Sequence, residues 1–98
     1  SNLIMENIHV EGTAKKPFIR FEAENGLIEM GGKSILEDPT EFYQPLASWI
    51  LEYASSPQPH THVNFKFEYF NTSASKWIIV LAKQLKSKLY ELELQKQN

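Results

Sequence analysis

Between His62 and Leu89 the chain changes its hydrophobic period once, and abruptly. His62-Val63-Asn64-Phe65-Lys66-Phe67-Glu68-Tyr69 alternates apolar and polar residues, the mark of a half-buried strand. Ile78, Leu81, Ala82, Leu85, Leu89 and Leu92 then recur at helical spacing. The switch falls on Asn71-Thr72-Ser73-Ala74-Ser75, small or polar residues that suit a helix start. A strand running directly into a helix requires a mixed α and β architecture. It also leaves a hydroxyl cluster at the helix N-terminus, where it can cap the helix or carry a phosphate.

The rest of the chain supplies partners for that strand. Leu3 to Val10 reads as a short first strand, broken by Gly12 to Pro17. Phe18 to Ala23 reads as a second, with Ile19, Phe21 and Ala23 on one face. Asn25-Gly26 is a strong hairpin signal, because both residues tolerate positive φ. Leu27 to Met30 returns as a third strand, ended by Gly31-Gly32. Asp38-Pro39-Thr40-Glu41 is a helix start: Asp38 caps, Pro39 suits the first helical position and Glu41 completes the box. Phe42, Leu46, Trp49, Ile50 and Tyr53 then form one helical face. Pro45 lacks a donor and is expected to bend this helix or reset its first turn. Ser55 to Pro59 ends it. The second helix is expected from about Ser73 to at least Leu89; beyond it, Tyr90 to Leu94 fits either a helix or a strand. The order β-β-β-α-β-α predicts an α+β fold. The polar Asn64, Lys66 and Glu68 imply a sheet covered mainly on one face and largely open on the other.

Composition narrows the function. At 98 residues one domain is expected, and 42% apolar with 22% charged residues is ordinary for a globular protein. The net charge of −2 provides no broad positive field for nucleic acid. With no cysteine there is no disulfide, thiolate metal site or cysteine nucleophile. The longest apolar run, Trp77 to Ala82, is too short to insert into a membrane, and no signal-peptide pattern opens the chain.

Few residues carry chemistry. Capping accounts for Asn71, Thr72 or Ser73 without any further role, and is worth about 0.5–2 kcal/mol. The functional alternative is a phosphate, with Lys76 one turn into the helix as its counter-charge. His60 and His62 share a strand face but lack a third ligand, so exposed loop histidines explain them better than a metal. His62 lies at the far end of its strand, roughly 26 Å of extended chain from Phe70, and cannot activate Thr72 or Ser73 within one subunit. His9 remains free for that task, but no third group accompanies it. Gly31-Gly32 matches no phosphate-cradling loop, and no nucleophile elbow is present. Glu37, Asp38 and Glu41 are explained by the helix dipole. Lys33, Ser34, Ile35 and Tyr43 are a candidate partly exposed partner surface.

Three runs together resemble a known family: Gly31-Gly32-Lys33-Ser34-Ile35-Leu36-Glu37-Asp38-Pro39, Glu41-Phe42-Tyr43-Gln44-Pro45-Leu46-Ala47-Ser48-Trp49, and Glu68-Tyr69-Phe70-Asn71-Thr72-Ser73-Ala74-Ser75-Lys76. They look like the SiaC-like regulatory phosphoproteins of bacteria, over about Ile8 to Leu89. The resemblance implies an anti-sigma-factor-antagonist-like (STAS-like) fold and a cytoplasmic switch protein that is not an enzyme and needs no cofactor. It implies a histidine-kinase-like protein kinase that phosphorylates Thr72, with Ser73 as the alternative, in surroundings formed by Asn71, Ser73, Ser75 and Lys76. It implies a metal-dependent serine/threonine phosphatase that removes the phosphate. The unphosphorylated form is expected to bind and activate a diguanylate cyclase, raising cyclic di-GMP and favouring biofilm. Two departures stand out. Ala74 replaces a serine common in the family, with little effect expected. The family also continues into a further strand and helix: the expectation is a single domain that lacks them, or one in which Tyr90 to Gln95 stands in for them, and a missing strand leaves a sheet edge bare. The rival reading is a constitutive interaction module or homodimer that is never phosphorylated.

Overall fold

A computed structural model describes residues 5–90. Its elements follow the order β1 (Ile8–Val10), β2 (Phe18–Glu22), β3 (Leu27–Ser34), α1 (Pro39–Ser55), β4 (His62–Phe70) and α2 (Thr72–Leu85), with a π-helical turn at Lys86–Tyr90. The α+β class and the β-β-β-α-β-α order agree with the hydrophobic periods. Leu3, Ile4 and the ambiguous run after Tyr90 lie outside the described residues. The described residues form two compact units, one holding the four strands and the other the helices.

In the first unit the strands lie in the order β1-β2-β3-β4. β1–β2 and β2–β3 are antiparallel, while β4 joins β3 in parallel. The registers align Ile8, Phe21, Ile28 and Val63 across all four strands, and Val10, Ile19, Met30 and Phe65 beside them. Residues paired across a ladder share a face, so these form the apolar face. Ile19, Phe21, Ile28 and Met30 are fully buried, each contributing roughly 1.5–3 kcal/mol by burial. The other face aligns His9, Arg20, Glu29 and Asn64. Lys66 Nζ lies 3.2 Å and Asn64 Nδ2 3.4 Å from Glu29 Oε2, so this face is a polar network rather than a second core.

Three local expectations are corrected. The β2–β3 hairpin is not a two-residue turn with both residues at positive φ. Ala23 to Gly26 form the loop, only Gly26 has positive φ (62°), and Ala23 belongs to the turn instead of β2. Asn25 contributes its side chain, donating to Glu22 Oε1 at 2.7 Å. Second, Gly31-Gly32 does not end β3, which continues to Ser34. Gly31 lets β4 approach closely: a Cβ there would collide with the Lys66 carbonyl oxygen and come within 2.7 Å of its carbon. Gly32 takes φ 87° where the β3–β4 register shifts.

The third correction follows from that shift. Gly32 pairs with Phe67, but Lys33 pairs with Tyr69, leaving Glu68 as an extra residue in β4. Such a bulge reverses the faces beyond it. Tyr69 therefore joins the polar face beside Lys33 instead of following Val63, Phe65 and Phe67. Phe70 takes the apolar side: its ring lies 5.8 Å from that of Phe67, which lies 6.2 Å from Phe65.

In the second unit, Asp38 caps α1, its Oδ1 accepting the Glu41 N–H at 3.4 Å, with Pro39 in the first turn. Pro45 neither ends nor resets the helix, which runs through it to Ser55. The buried stripe of α1 is Tyr43, Leu46, Trp49, Ile50, Tyr53 and Ala54. Phe42, expected on that stripe, is only half-buried. Both Phe42 and Tyr43 lie one turn before Leu46, and spacing alone does not choose between them. The Trp49 and Tyr53 rings stack at 5.4 Å. On α2, Ala74, Leu81 and Leu85 are buried.

Candidate functional site

The end of β4 is tied to β3 by a backbone bond just before α2 begins. The Asn71 N–H donates to the Ser34 carbonyl at 3.1 Å, one residue beyond the Ser34–Phe70 pair. Ser34 is in turn the last residue of β3, and the next residue, Ile35, donates its N–H to the Lys15 carbonyl at 2.8 Å. The strand end is thus tied on both sides. Asn71 occupies the position just before α2, where a capping residue stands.

Thr72 is the first residue of α2 and is exposed, as are Ser73 and Lys76. Ser75 is half-buried, and its hydroxyl donates to the Thr72 carbonyl at 2.6 Å. That hydroxyl is committed to the helix's own first turn. Ala74 is fully buried, so it offers no surface to a partner. No acidic residue lies in the first turn of α2. No carboxylate of the helix's own first turn therefore offsets the positive end of its dipole.

The candidate partner surface divides. Lys33 is exposed and pairs with exposed Tyr69. Ile35 is also exposed. Ser34 and Tyr43, expected to be partly exposed, are fully buried. Ser34 turns inward because β3 continues past the two glycines. Tyr43 lies on the core stripe of α1 and stacks on Trp77 with ring centroids 6.2 Å apart and planes 9° apart. Its role is to hold the first turns of α2 against α1, since such aromatic pairs add about 0.5–1.5 kcal/mol beyond burial. Tyr69 is the exposed residue the sequence concealed: the alternating pattern assigns it to the apolar face, and only the bulge at Glu68 releases it.

The histidines do not join this site. His60 lies in the exposed loop after α1, and His62 opens β4 opposite Leu27. Among the described residues no group of three or more His, Asp or Glu side chains could hold a metal ion. His9 is not free: its Nε2 lies 2.7 Å from Glu22 Oε2. Arg20 approaches the same oxygen at 3.6 Å. The Asn25 and His9 hydrogen bonds hold the Glu22 carboxyl below the ordinary glutamate range; partial burial opposes them and the Arg20 charge assists. Glu22 is a structural clamp between β1, β2 and the hairpin. His9, the histidine that the sequence left available for Thr72, is thus engaged by Glu22.

Comparison with known proteins identifies the family. The model of a family described as SiaC family regulatory phosphoprotein matches residues 10–95. An uncharacterized protein of Pseudomonas aeruginosa is 26% identical over 72 residues, which are 74% of this chain and 57% of that protein. The chain thus spans little more than half the length of that relative. The crystal structure of apo-SiaC from Pseudomonas aeruginosa superposes with a TM-score of 0.81 at 23% identity, covering 89% of this chain and 72% of that one. A chain in the crystal structure of diguanylate cyclase SiaD with its activator SiaC, from the same organism, superposes at 0.78 and 23%, covering 86% and 69%.

Proposed function

Because the chain belongs to the SiaC family of regulatory phosphoproteins, we propose that it is a partner-switching protein whose acceptor hydroxyl is Thr72. The observation that carries this reading is the exposure of Thr72 at the first position of α2. A kinase transfers the γ-phosphoryl group of ATP to Thr72 Oγ1, ADP leaves, and the hydroxyl proton is released. A metal-dependent phosphatase returns the hydroxyl by hydrolysis, releasing inorganic phosphate. The modified residue carries about −1.5 to −2 charge at neutral pH. The helix dipole and Lys76 stabilise that charge, so the fold survives while the surface changes sign locally. Ser73, also exposed, is the alternative acceptor.

The unmodified form binds and activates a diguanylate cyclase in the cytoplasm, coupling the switch to cyclic di-GMP and biofilm formation. Support for that partner comes from the fold shared with SiaC, which activates the cyclase SiaD. A second reading, a constitutive homodimer, rests on the unpaired outer edge of β4 among the described residues.

Incubation with ATP and a histidine-kinase-like protein kinase from the same organism, followed by peptide mass spectrometry, tests the switch. One phosphate on Thr72, absent from Thr72→Ala, is expected. A phosphate on Ser73 corrects the residue. No phosphate from a kinase active on another substrate overturns the switch. Thr72→Asp separates the two readings: the switch predicts a folded protein that no longer binds the cyclase, the homodimer an unchanged one.

A further inference from the structure

The solvent side of α2 is not an ordinary solvated helix face. Thr72, Lys76, Ile79, Val80 and Lys83 are all exposed and fall at i, i+4, i+7, i+8 and i+11, a single stripe. It lies opposite the buried Ala74, Leu81 and Leu85. Ile79 is 52% and Val80 41% exposed, on the side where a helix normally carries charge. From Thr72 to Tyr90 the chain has four lysines and no acidic residue, although acidic residues outnumber basic ones in the whole chain. Two of these lysines, Lys76 and Lys83, flank the apolar pair on the stripe itself.

We propose that the Thr72–Lys83 stripe of α2 is the face that docks the partner, and that the partner offers an apolar groove rimmed by carboxylates. Ile79 and Val80 enter the groove, and Lys76 and Lys83 meet the rim. This is helix-in-groove recognition, read through anchors one and two turns apart. Charge selects the occupant. A second copy presenting the same face would set lysine against lysine, and a nucleic acid would leave Ile79 and Val80 without an apolar contact.

The proposal rests on the partner-switching reading and gives it a mechanism. Thr72 heads the same stripe, seven residues and roughly 10 Å before Ile79. A phosphate there pairs with Lys76, removing it from the rim, and sets a dianion against the partner's carboxylates. Like-charge juxtaposition of this kind suppresses docking without refolding. The acid-rimmed groove thus explains why a modification at one end of the helix controls binding along it.

The test titrates wild type, Ile79→Glu and the double variant Lys76→Glu/Lys83→Glu into the diguanylate cyclase that the unmodified chain activates, by calorimetry at low and high salt. Circular dichroism melts check that each variant folds, as its exposed positions predict. Expected are at least a tenfold loss of affinity for each variant, with the lysine effect shrinking at high salt as screening predicts. Both variants binding within twofold of wild type overturns the docking face. If phosphorylated Thr72 still abolishes binding in that case, the switch stands and its surface lies elsewhere. If the variants lose binding but phosphorylation changes nothing, the face stands and the switch falls. Lost affinity in Ile79→Glu with none in the lysine variant overturns the acidic rim. A wild-type dimer in sedimentation that Ile79→Glu converts to monomer makes the occupant a second copy and overturns the proposal.

Discussion

Glu22 ties β1, β2 and the hairpin together, since His9, Arg20 and Asn25 all approach its carboxylate. Its depressed pKa fixes the sign of a pH effect. The folded state binds this proton less readily than the unfolded chain, so the stabilisation is complete above the ordinary glutamate range. It is lost as pH falls through the lowered value. Thermal midpoints should therefore drop on acidification below that range, and Glu22→Gln should flatten that part of the profile. Gly31 carries a steric constraint. Gly31→Ala forces a Cβ onto the Lys66 backbone, and overpacking of that kind costs about 1–3 kcal/mol or more. Urea unfolding should show the loss, with β3–β4 amides exchanging fastest. Both effects come from register, which no single residue announces.

Among the elements, α1 and β4 each depart from a simple pattern. Pro45 is exposed within an unbroken α1 and denies the Glu41 carbonyl its helical donor. Pro45→Ala should raise stability by about 1–3 kcal/mol, measured by denaturant midpoint, because interior proline costs about that much and no packing is lost. The bulge in β4 gives a chemical check. Tyr69 is 55% exposed, whereas Tyr43 and Tyr53 are buried. Tetranitromethane should nitrate Tyr69 well before either, as peptide mapping would reveal. If Tyr69 is protected, β4 alternates regularly to its end and the bulge is wrong. The π-helical turn after Leu85 is a third departure, for which the sequence offers no physical signal.

For the molecule as a whole, the outer edge of β4 is the exposed liability. Its backbone pairs only with β3 among the described residues, and Val63, Tyr69 and Phe70 are all exposed along it. Lys66 and the Glu68 bulge blunt it, both recognised defences of an edge strand. Concentration-dependent light scattering should fall in Val63→Lys, and unchanged scattering would show that the edge is already protected. The sequence by itself determined the element order, the α1 cap, the extent of β4 and the hydroxyl cluster at α2, because periodicity and capping are local properties. The three runs that resemble the SiaC family were legible too, and the family match bears out that resemblance. Only the tertiary structure decided that β3 continues through Gly31-Gly32, that Glu68 bulges and frees Tyr69, and that Tyr43 and Ser34 are buried. It alone also left Ile79 and Val80 facing solvent. Each of these depends on which residue lies opposite which, a relation between distant segments that hydrophobic period does not encode.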